Sequence, residues 1–534
     1  MIVGILILFF PQNSQMLMDA NRWIVVLLSI ICLFGRVWAL DQPNVLILYA
    51  AEDLQNPEMD LIAAEGVDWD YFLGFGDPTR DMAALLSGKY PLRVGIQGKW
   101  HREGVLDQKE ILLSEIFREH GYTTAFWGKW WNGYQFPQTP VGQGFDQYFA
   151  YERINADWQD AGCPDIKPAL LPAANAGLTA QLLDWLAIPR KQPYFACISL
   201  DIPLNGKSNS PQTEDSVSSF SLFHQVLKRL DASDAREKTI VVLLGMPSGD
   251  KLPGGYPVKG RCVVLWPGFL TSVRLPYPAV PMDLFPTLAG LCGISVPETV
   301  NPDGIHLSAI MQGAPDHTDA RPLFFNFADR GLRPFPGLVI WKSRFLELLD
   351  KEEAASSIPD FLPPDRVWPK EEETAYWLRS AYLEWYRGLG DPRSAPPIPI
   401  GCGADTVCIL AEECLRSCPG IKDGSLCKSM TIRDTLVWEF QVCSSNTFDI
   451  EILGSCIDPK TSLMLEISPS EGAPVFHSEW DGGGPKCKGE ALRAKMGTAF
   501  FAEGKGFLRI WPGNSDSRNF HITSVRLSAP ANKN

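Results

Sequence analysis

The chain has 534 residues, of which 45% are hydrophobic and 21% are charged, with a formal net charge of −14 at pH 7. This length is sufficient for two or three domains with sizeable cores, and the composition is that of an ordinary globular protein. The acidic balance argues against nucleic acid or an anionic membrane surface as a partner. It also makes a highly sulfated polyanion an awkward substrate, unless a local basic pocket offsets the field.

The N-terminus has the pattern of a secretory signal. Arg22 precedes an apolar run over 23–34, and Val37-Trp38-Ala39 suits a signal-peptidase site. We therefore predict a signal peptide at residues 1–39 and a secreted protein, or one in the lumen of the secretory pathway. The apolar run is short for a bilayer crossing, so no stable membrane span is expected; a signal anchor is the alternative.

The first predicted strand of the mature chain is Asn44–Ala50, an apolar run typical of a buried parallel strand. It leads into the acidic pair Glu52 and Asp53. Loops at the carboxyl ends of parallel strands are where an open α/β sheet places its chemistry. A solvated acidic loop is the alternative interpretation of this pair.

The stretch 76–93, GDPTRDMAALLSGKYPLR, predicts a turn, a helix and a second turn at Gly88. Asp77 or Thr79 is placed to cap the free N–H groups at the start of the helix. Such a helix N-terminus favours an anion, because its free N–H groups and the helix dipole both attract negative charge.

Helices and apolar strands continue to alternate along the chain, which is the pattern of an α/β protein. Helices are predicted at 111–120, 178–186 and 221–230, and strands at 122–126, 194–200 and 239–244. Lys129 follows the strand 122–126, and Met246 and Pro247 follow the strand 239–244.

The stretch 76–93 resembles the signature of the sulfatase family, in which Cys-x-Pro-Ser-Arg opens a helix that ends in Leu-Thr-Gly-Arg-Tyr-Pro. The residues that fit this pattern are Pro78, Arg80, Ala83, Ala84, Leu85, Leu86, Gly88, Tyr90, Pro91 and Arg93. Further landmarks of the family follow in order, so that the resemblance covers residues 43–390. It implies a mixed, largely parallel sheet flanked by helices, with 330–390 as the smaller C-terminal part of this domain.

The position of the family's nucleophile departs from the pattern. The cysteine that is oxidised to formylglycine falls on Gly76, which has no side chain to oxidise. There is no cysteine between Cys32 and Cys163 that a shifted alignment could use. We therefore expect no formylglycine, and Gly76 is a vacant nucleophile position. Thr79 or Asp77 is the alternative nucleophile if the protein still hydrolyses an ester.

The resemblance also assigns metal and substrate positions. Glu52 and Asp53 match the acidic pair that binds calcium in the family, whereas Met246 and Pro247 replace further ligands of that metal. A calcium ion is therefore doubtful. Among the sulfate-contacting positions, Arg80 and Lys129 are retained, and Trp131 replaces a histidine. Lys251 aligns with a second lysine only if a one-residue gap is allowed.

Residues 391–399 are Pro-rich and are predicted to be a linker, followed by a Cys-rich all-β domain at 400–534. Short alternating runs predict a sandwich, with strands at 436–442, 448–453, 463–467 and 520–527. Eight cysteines predict a disulfide framework, with zinc as the rival explanation. They are Cys402, Cys408, Cys414, Cys418, Cys427, Cys443, Cys456 and Cys487. The strands have the general look of carbohydrate-binding modules.

Three tryptophans of the C-terminal domain are candidates for contacting a carbohydrate. Trp438, Trp480 and Trp511 are candidates for stacking on sugars, although buried core positions are the alternative.

Three functions are compatible with these patterns. The first is a secreted sulfatase-like protein that lacks sulfuric-ester hydrolase activity and binds sulfated or carbohydrate ligands. The second is an active sulfuric- or phosphoric-ester hydrolase, and the third is a structural protein of a matrix or wall. Because Arg80 and Lys129 remain, we predict a weak anion site between them; a salt bridge from Arg80 to Asp53 is the alternative.

Overall fold

The computed structural model describes residues 42–96, 104–133, 136–149, 175–200, 219–247, 257–314, 321–326, 337–341, 344–348, 372–389, 397–402, 406–410, 435–456, 462–468, 475–481, 491–513 and 520–530. The predicted signal peptide and most of the predicted linker lie outside these residues. Within the part of the chain that the structure describes, none of the helices has the length and the apolar character that a bilayer crossing requires.

A large mixed sheet forms the centre of the N-terminal part, and eight described strands compose it in the order β4-β3-β5-β1-β6-β7-β2-β8. Their bounds are β1 Asn44–Ala50, β2 Val67–Gly74, β3 Thr123–Gly128, β4 Gln147–Phe149, β5 Tyr194–Leu200, β6 Thr239–Gly245, β7 Val258–Leu265 and β8 Val273–Ala279. Neighbouring strands pair in parallel except at β7, which is antiparallel to both β6 and β2. The predicted α/β fold with a largely parallel sheet is confirmed.

Helices cover both faces of this sheet, which is why its central strands are apolar on both sides. The described helices are α1 Pro57–Ala63, α2 Pro78–Ser87, α3 Leu113–Glu119, α4 Asn175–Ala187, α5 Ser219–Ala232, α6 Leu284–Leu291, α7 Ser308–Met311 and α8 Glu372–Arg387. Short 3₁₀ turns occur at Pro91–Val94, Pro140–Gln143, Arg236–Lys238 and Pro281–Asp283. Val45, Ile47 and Tyr49 of β1 share a core with α2, α3 and α6, while the alternate residues of β1 share a core with α1, α4 and α5.

A smaller antiparallel sheet follows, in the order β11-β10-β9. Its strands are β9 Leu323–Asn326, β10 Gly337–Trp341 and β11 Arg344–Leu348. Leu323 of β9 and Tyr382 of α8 pack in one core with Phe75 and Tyr90, which flank α2 in the sequence. The small sheet and α8 therefore support the segment that contains the candidate signature.

A buried ion pair ties this region together. Asp283, which is fully buried, receives two hydrogen bonds from Arg321, at 2.7 Å from Nη1 and 2.8 Å from Nη2. The same carboxylate accepts the backbone N–H groups of Val280 (3.0 Å) and Ile305 (2.9 Å). One buried carboxylate thus fixes three separate segments around the start of α6.

The C-terminal part is built from two sheets that enclose a core of their own. The five-stranded sheet has the order β12-β14-β19-β16-β17, and the four-stranded sheet has the order β13-β20-β15-β18. Their bounds are β12 Ile398–Ile400, β13 Thr406–Leu410, β14 Leu436–Val442, β15 Asn446–Cys456, β16 Ser462–Ser468, β17 Phe476–Asp481, β18 Ala491–Phe501, β19 Gly504–Pro512 and β20 Phe520–Ser528. The predicted all-β sandwich is confirmed, and β12 begins inside the segment predicted to be a linker.

Cysteines differ between the two parts of the chain. A disulfide joins Cys402 to Cys443, which confirms one bridge of the predicted framework. Among the described residues of the N-terminal part, three free thiols are buried instead: Cys197, Cys262 and Cys292. Burial raises the pKa of each of these thiols, so they remain protonated core residues.

Candidate functional site at the carboxyl edge of the large sheet

The predicted site residues of the described chain follow strands that end at one edge of the large sheet. Glu52 and Asp53 follow β1, Lys129 follows β3, and Met246 follows β6. Backbone hydrogen bonds continue the strand pairing beyond these ends. The Met246 N–H donates to the carbonyl of Ala50 (2.9 Å), and the Lys129 N–H donates to that of Ser199 (3.1 Å). Lys251 lies outside the described residues.

Helix α2 starts at this edge, directly after β2, and its start is defined by side-chain chemistry. Asp77 is the N-cap, because its Oδ1 accepts the backbone N–H of Arg80 at 3.1 Å. Pro78 occupies the first turn, where a missing N–H has no cost, and Gly88 ends the helix in the left-handed conformation. Of the two predicted capping residues, Asp77 therefore has this role.

Gly76, at the position where the resemblance places the nucleophile, has a φ angle of +88°. Glycine adopts this left-handed region freely, whereas an L-residue with a Cβ atom is strained there. The backbone conformation of the turn before α2 therefore favours glycine at this position. A cysteine at this position would have to strain the turn or rearrange it.

Arg80 is buried, and its Nε lies 3.5 Å from Oδ2 of Asp77. Asp53, the partner considered from the sequence, is exposed and uses its Oδ1 to accept the N–H of Gln55 at 2.9 Å. The ion pair of Arg80 in the structure is therefore with Asp77. Both residues of this ion pair lie at the start of α2, and Asp53 in the acidic loop after β1 is not its partner.

Lys129 lies beside Trp131, at the position where the resemblance places a histidine. The ammonium group is 3.7 Å from the centroid of a Trp131 ring, which is a cation–π contact. The indole N–H of Trp131 donates to Oγ of Ser199, 3.1 Å away at the end of β5. The tryptophan is therefore held in place, and it covers the lysine with an aromatic face.

Asn132 is a positioning residue that the sequence patterns did not identify. It is fully buried, and its Nδ2 donates to the carbonyls of Thr79 (2.9 Å) and Gly104 (3.2 Å). The backbone carbonyl of Asn132 accepts the N–H of Leu106. This side chain fixes the loop that carries Lys129 against the first turn of α2. The signal for it was weak, because one asparagine in a loop of tryptophans has no distinctive pattern.

The two alternative nucleophiles are placed in the first turn of α2. Thr79 is buried, and Asp77 is engaged as the helix cap and as the partner of Arg80. An attacking group needs a free path to the substrate and an adjacent base or metal. The described geometry gives Asp77 a structural role and buries Thr79.

The described residues at this edge do not fit a calcium ion. Calcium takes six to eight oxygen ligands, whereas Met246 provides a buried thioether at a ligand position. Among the described residues, no three His, Cys, Asp or Glu side chains are grouped closely enough to hold a metal ion. In the described part of the site, Glu52 and Asp53 are therefore not joined by a third side chain of this kind into a metal-binding group.

Asp81 is a buried carboxyl group behind the first turn of α2. It is only 2% exposed, and its Oδ1 accepts the N–H of Phe75 at 2.6 Å. Desolvation by burial raises the pKa of Asp81 to about 8, and the nearby carboxylate of Asp77 adds to this effect. The Phe75 N–H, the Tyr49 hydroxyl and the charge of Arg80 oppose the rise. Burial thus favours the protonated form of Asp81.

Comparisons with known proteins agree with this fold. A family model described as Sulfatase matches residues 46–203. The chain is 25% identical over 351 residues to an ulvan-active sulfatase of Formosa agariphila, covering 54% of this chain and 66% of that protein. It is 24% identical over 425 residues to N-acetylgalactosamine-6-sulfatase of Canis lupus familiaris, covering 65% and 80% of the two chains.

Solved structures show the same architecture. The crystal structure of Ps i-CgsB in complex with k-i-k-neocarrahexaose superposes with a TM-score of 0.52 at 15% sequence identity. The superposition covers 67% of this chain and 94% of that one. At this level of identity the likeness establishes the fold.

Proposed function

Because the chain belongs to the sulfatase family, we propose that it is a secreted sulfatase-like protein that binds carbohydrate and does not hydrolyse sulfuric esters. The observation that carries the proposal is Gly76, which stands at the nucleophile position with a φ of +88°. Without a side chain there is nothing to convert to formylglycine. The backbone conformation in addition disfavours the residue that the chemistry requires.

Other features of the site support the loss of hydrolysis. Ester hydrolysis in this fold requires a metal to polarise the ester and cations to hold the departing sulfate. Met246 gives no hard oxygen at the metal-ligand position, and Lys129 lies against Trp131. The groups that remain are held in internal contacts, so the largest electrostatic contributions to catalysis are missing.

We predict that the purified protein will not hydrolyse aryl sulfates, even after co-expression with a formylglycine-generating enzyme. The Gly76→Cys variant is expected to stay inactive as well, and to be less stable by about 1–2 kcal/mol because of its left-handed backbone. Release of the aryl product measures activity, and denaturant unfolding measures stability.

The matched control for this experiment is Lys129→Ala, which removes a cation that the family resemblance assigns to sulfate binding without touching the helix cap. Turnover above a heat-killed sample that disappears in this variant would show genuine catalysis and would refute the proposed inactivity. An active sulfatase expressed in the same cells confirms that the modifying enzyme works.

The binding half of the proposal rests on the outward face of the five-stranded sheet. Phe507 and Trp511 lie on this face of β19, four residues apart, which corresponds to about 13 Å along a strand. Phe507 is 38% exposed, and Trp511 is partly exposed beside Met464 of β16. We call Phe507 and Trp511 the aromatic strip. Their spacing fits stacking on separate sugar rings of one chain.

Polar groups beside the aromatic strip are suited to sugar hydroxyls. Arg509 lies between the two aromatic residues and forms an ion pair with Glu466. Glu466 also accepts a hydrogen bond from Ser468 (3.0 Å), and His477 lies 3.8 Å from it. Because these charges largely balance each other, the face fits an uncharged or weakly charged glycan better than a dense polyanion.

The other two tryptophans that the sequence suggested for sugar stacking have different positions. Trp438 is 0% exposed in the core of the sandwich, so its stacking on a ligand is excluded. Trp480 is partly buried and packs against the same core. Trp511 is thus the predicted tryptophan that belongs to the aromatic strip.

We predict that the protein is retarded in affinity gels containing agarose, an uncharged galactan, and less so in gels containing carrageenan. The double variant Phe507→Ala/Trp511→Ala is expected to lose the retardation, because stacking on aromatic rings supplies the apolar contact. Phe500→Ala is the matched control, since Phe500 is 59% exposed but lies on β18 of the other sheet. Equal retardation of the wild type and the double variant would refute this site.

Secretion is part of the proposal. The disulfide between Cys402 and Cys443 supports it, because such bonds persist in oxidising compartments. The apolar run and the cleavage pattern before residue 40 support the same compartment.

A further inference from the structure

We propose that His477 determines which glycans bind to the outward face of the five-stranded sheet, because its positive charge in acid admits a galactan that carries sulfate esters. At neutral pH the same face prefers an uncharged galactan. The inference rests on the proposed function, since it concerns the charge class of the glycan bound at the aromatic strip. It is carried by a row of three side chains on three strands, Arg509 of β19, Glu466 of β16 and His477 of β17.

Strand pairing places these three side chains in one row. Glu466 is opposite Arg509 on one side and opposite His477 on the other, and both pairings are antiparallel. Residues directly opposite each other in such a pair have their side chains on the same face of the sheet. The row meets β19 between Phe507 and Trp511, each two residues from Arg509. A sugar stacked on the aromatic strip therefore lies at one end of the row.

The neighbours of His477 on β17 determine the direction of its side chain. β17 is the last strand in the order of this sheet, and Phe476 and Trp480 pack against the core of the sandwich. Because side chains alternate along a strand, His477 faces outward. Its side chain is 59% exposed, and its Nδ1 lies 3.8 Å from Oε2 of Glu466. The imidazole is thus accessible to a ligand on this face.

Glu466 at the centre of the row already has partners. Arg509 forms an ion pair with it, and the Ser468 hydroxyl donates a hydrogen bond to it at 3.0 Å. Burial raises the pKa of Glu466, but these contacts lower it by more, so the carboxylate stays ionised from neutral to mildly acidic pH. A proton on His477 therefore adds a charge to the row without removing one.

Carboxylates outnumber permanent cations among the described side chains of this face. Besides Glu466, Glu439 lies opposite Phe507 and Glu479 lies on β17, two residues from His477. The cations are Arg509 and Lys505, which lies on β19 two residues before Phe507. Two cations thus face three carboxylates while His477 is neutral. This excess of negative charge disfavours a sulfate ester beside the aromatic strip.

Protonation of His477 adds a third cation, which balances the three carboxylates. Histidine is the side chain that ordinarily changes its charge between about pH 8 and pH 5. The three strands of the row span about 10 Å, whereas the Debye length in about 0.01 M salt is about 30 Å. The added charge therefore acts on a sulfate ester anywhere along the row. An uncharged galactan carries no group that responds to it.

The experiment measures retardation of the full-length protein in gels containing agarose or carrageenan, two galactans of which only the second is sulfated. The gels are run at about pH 7.5 and about pH 5.5 in about 0.01 M salt. For the wild type, we expect the ratio of retardation by carrageenan to retardation by agarose to rise about two- to fivefold in acid, as for one exposed charge contact.

Variants of His477 separate its charge from other effects of pH. His477→Gln is expected to keep the lower ratio at both pH values, and His477→Lys, which stays charged, is expected to show the higher ratio at both. His224→Gln is the matched control, because His224 is an exposed histidine on α5 of the N-terminal part. Its ratio is expected to rise in acid as that of the wild type does.

An equal rise of the ratio in His477→Gln and in the wild type would overturn the proposal, since another group would then cause the response. A rise that persists undiminished in about 1 M salt would also overturn it, because the Debye length there is only about 3 Å. Absence of retardation by agarose at both pH values refutes the aromatic strip and this inference with it. An unchanged ratio with agarose retardation intact refutes the role of His477 alone.

Discussion

The Arg321→Ala variant is expected to lose about 3–5 kcal/mol of unfolding free energy, because it leaves the carboxylate of Asp283 buried without its countercharge. The guanidinium meets both oxygens of Asp283, at 2.7 and 2.8 Å, and the carboxylate is fully buried. Asp283 would keep the N–H groups of Val280 and Ile305, which are not enough to replace a full positive charge. Denaturant unfolding followed by circular dichroism measures the loss.

Arg274→Ala is the matched control for this variant. Arg274 pairs with Asp70, but its side chain is 66% exposed. An exposed pair of this kind contributes about 0–1 kcal/mol, because water screens the attraction. Equal losses of unfolding free energy in the two variants would show that the buried ion pair contributes no more than the exposed one. This result would contradict the prediction.

The double variant Cys402→Ser/Cys443→Ser is expected to lose about 4 kcal/mol in the C-terminal sandwich, because the bond closes a long loop in the unfolded chain. The two cysteines are 41 residues apart in the sequence. They join the end of β12 to the end of β14, where Ile400 also accepts the N–H of Cys443 at 2.8 Å. Loss of the bond should therefore release β12 first. Hydrogen exchange with mass spectrometry on β12 and β14 locates the change.

Ser444→Ala is the control for the disulfide. Ser444 neighbours Cys443, and its hydroxyl donates to the carbonyl of Gly401 (2.7 Å) at an exposed position. Its removal is expected to cost about 1 kcal/mol or less. If exchange in β12 is unchanged in the double serine variant, the covalent bond does not hold this strand, and the prediction is wrong.

The sequence by itself determined the architecture, because its signals are local. The apolar run of β1 predicts a strand covered on both faces, and the alternating pattern of β14 predicts one covered on a single face. Asp77, Pro78 and Gly88 define the ends of α2 through capping chemistry that acts within a few residues. The glycine at position 76, where the family resemblance places a cysteine, was likewise evident from one residue in a motif.

Only the tertiary structure decided how the site residues are used, because their partners are distant in the sequence. Asn132 reaches the first turn of α2 across 53 residues, and Met246 fills the space left by Gly74 of another strand. The sequence offered Asp53 as the ion-pair partner of Arg80, whereas the folded helix brings Arg80 to Asp77. Burial likewise assigned Trp438 to the core and left Trp511 partly exposed. Side-chain contacts of this kind depend on the packing of several elements at once, which no local pattern specifies.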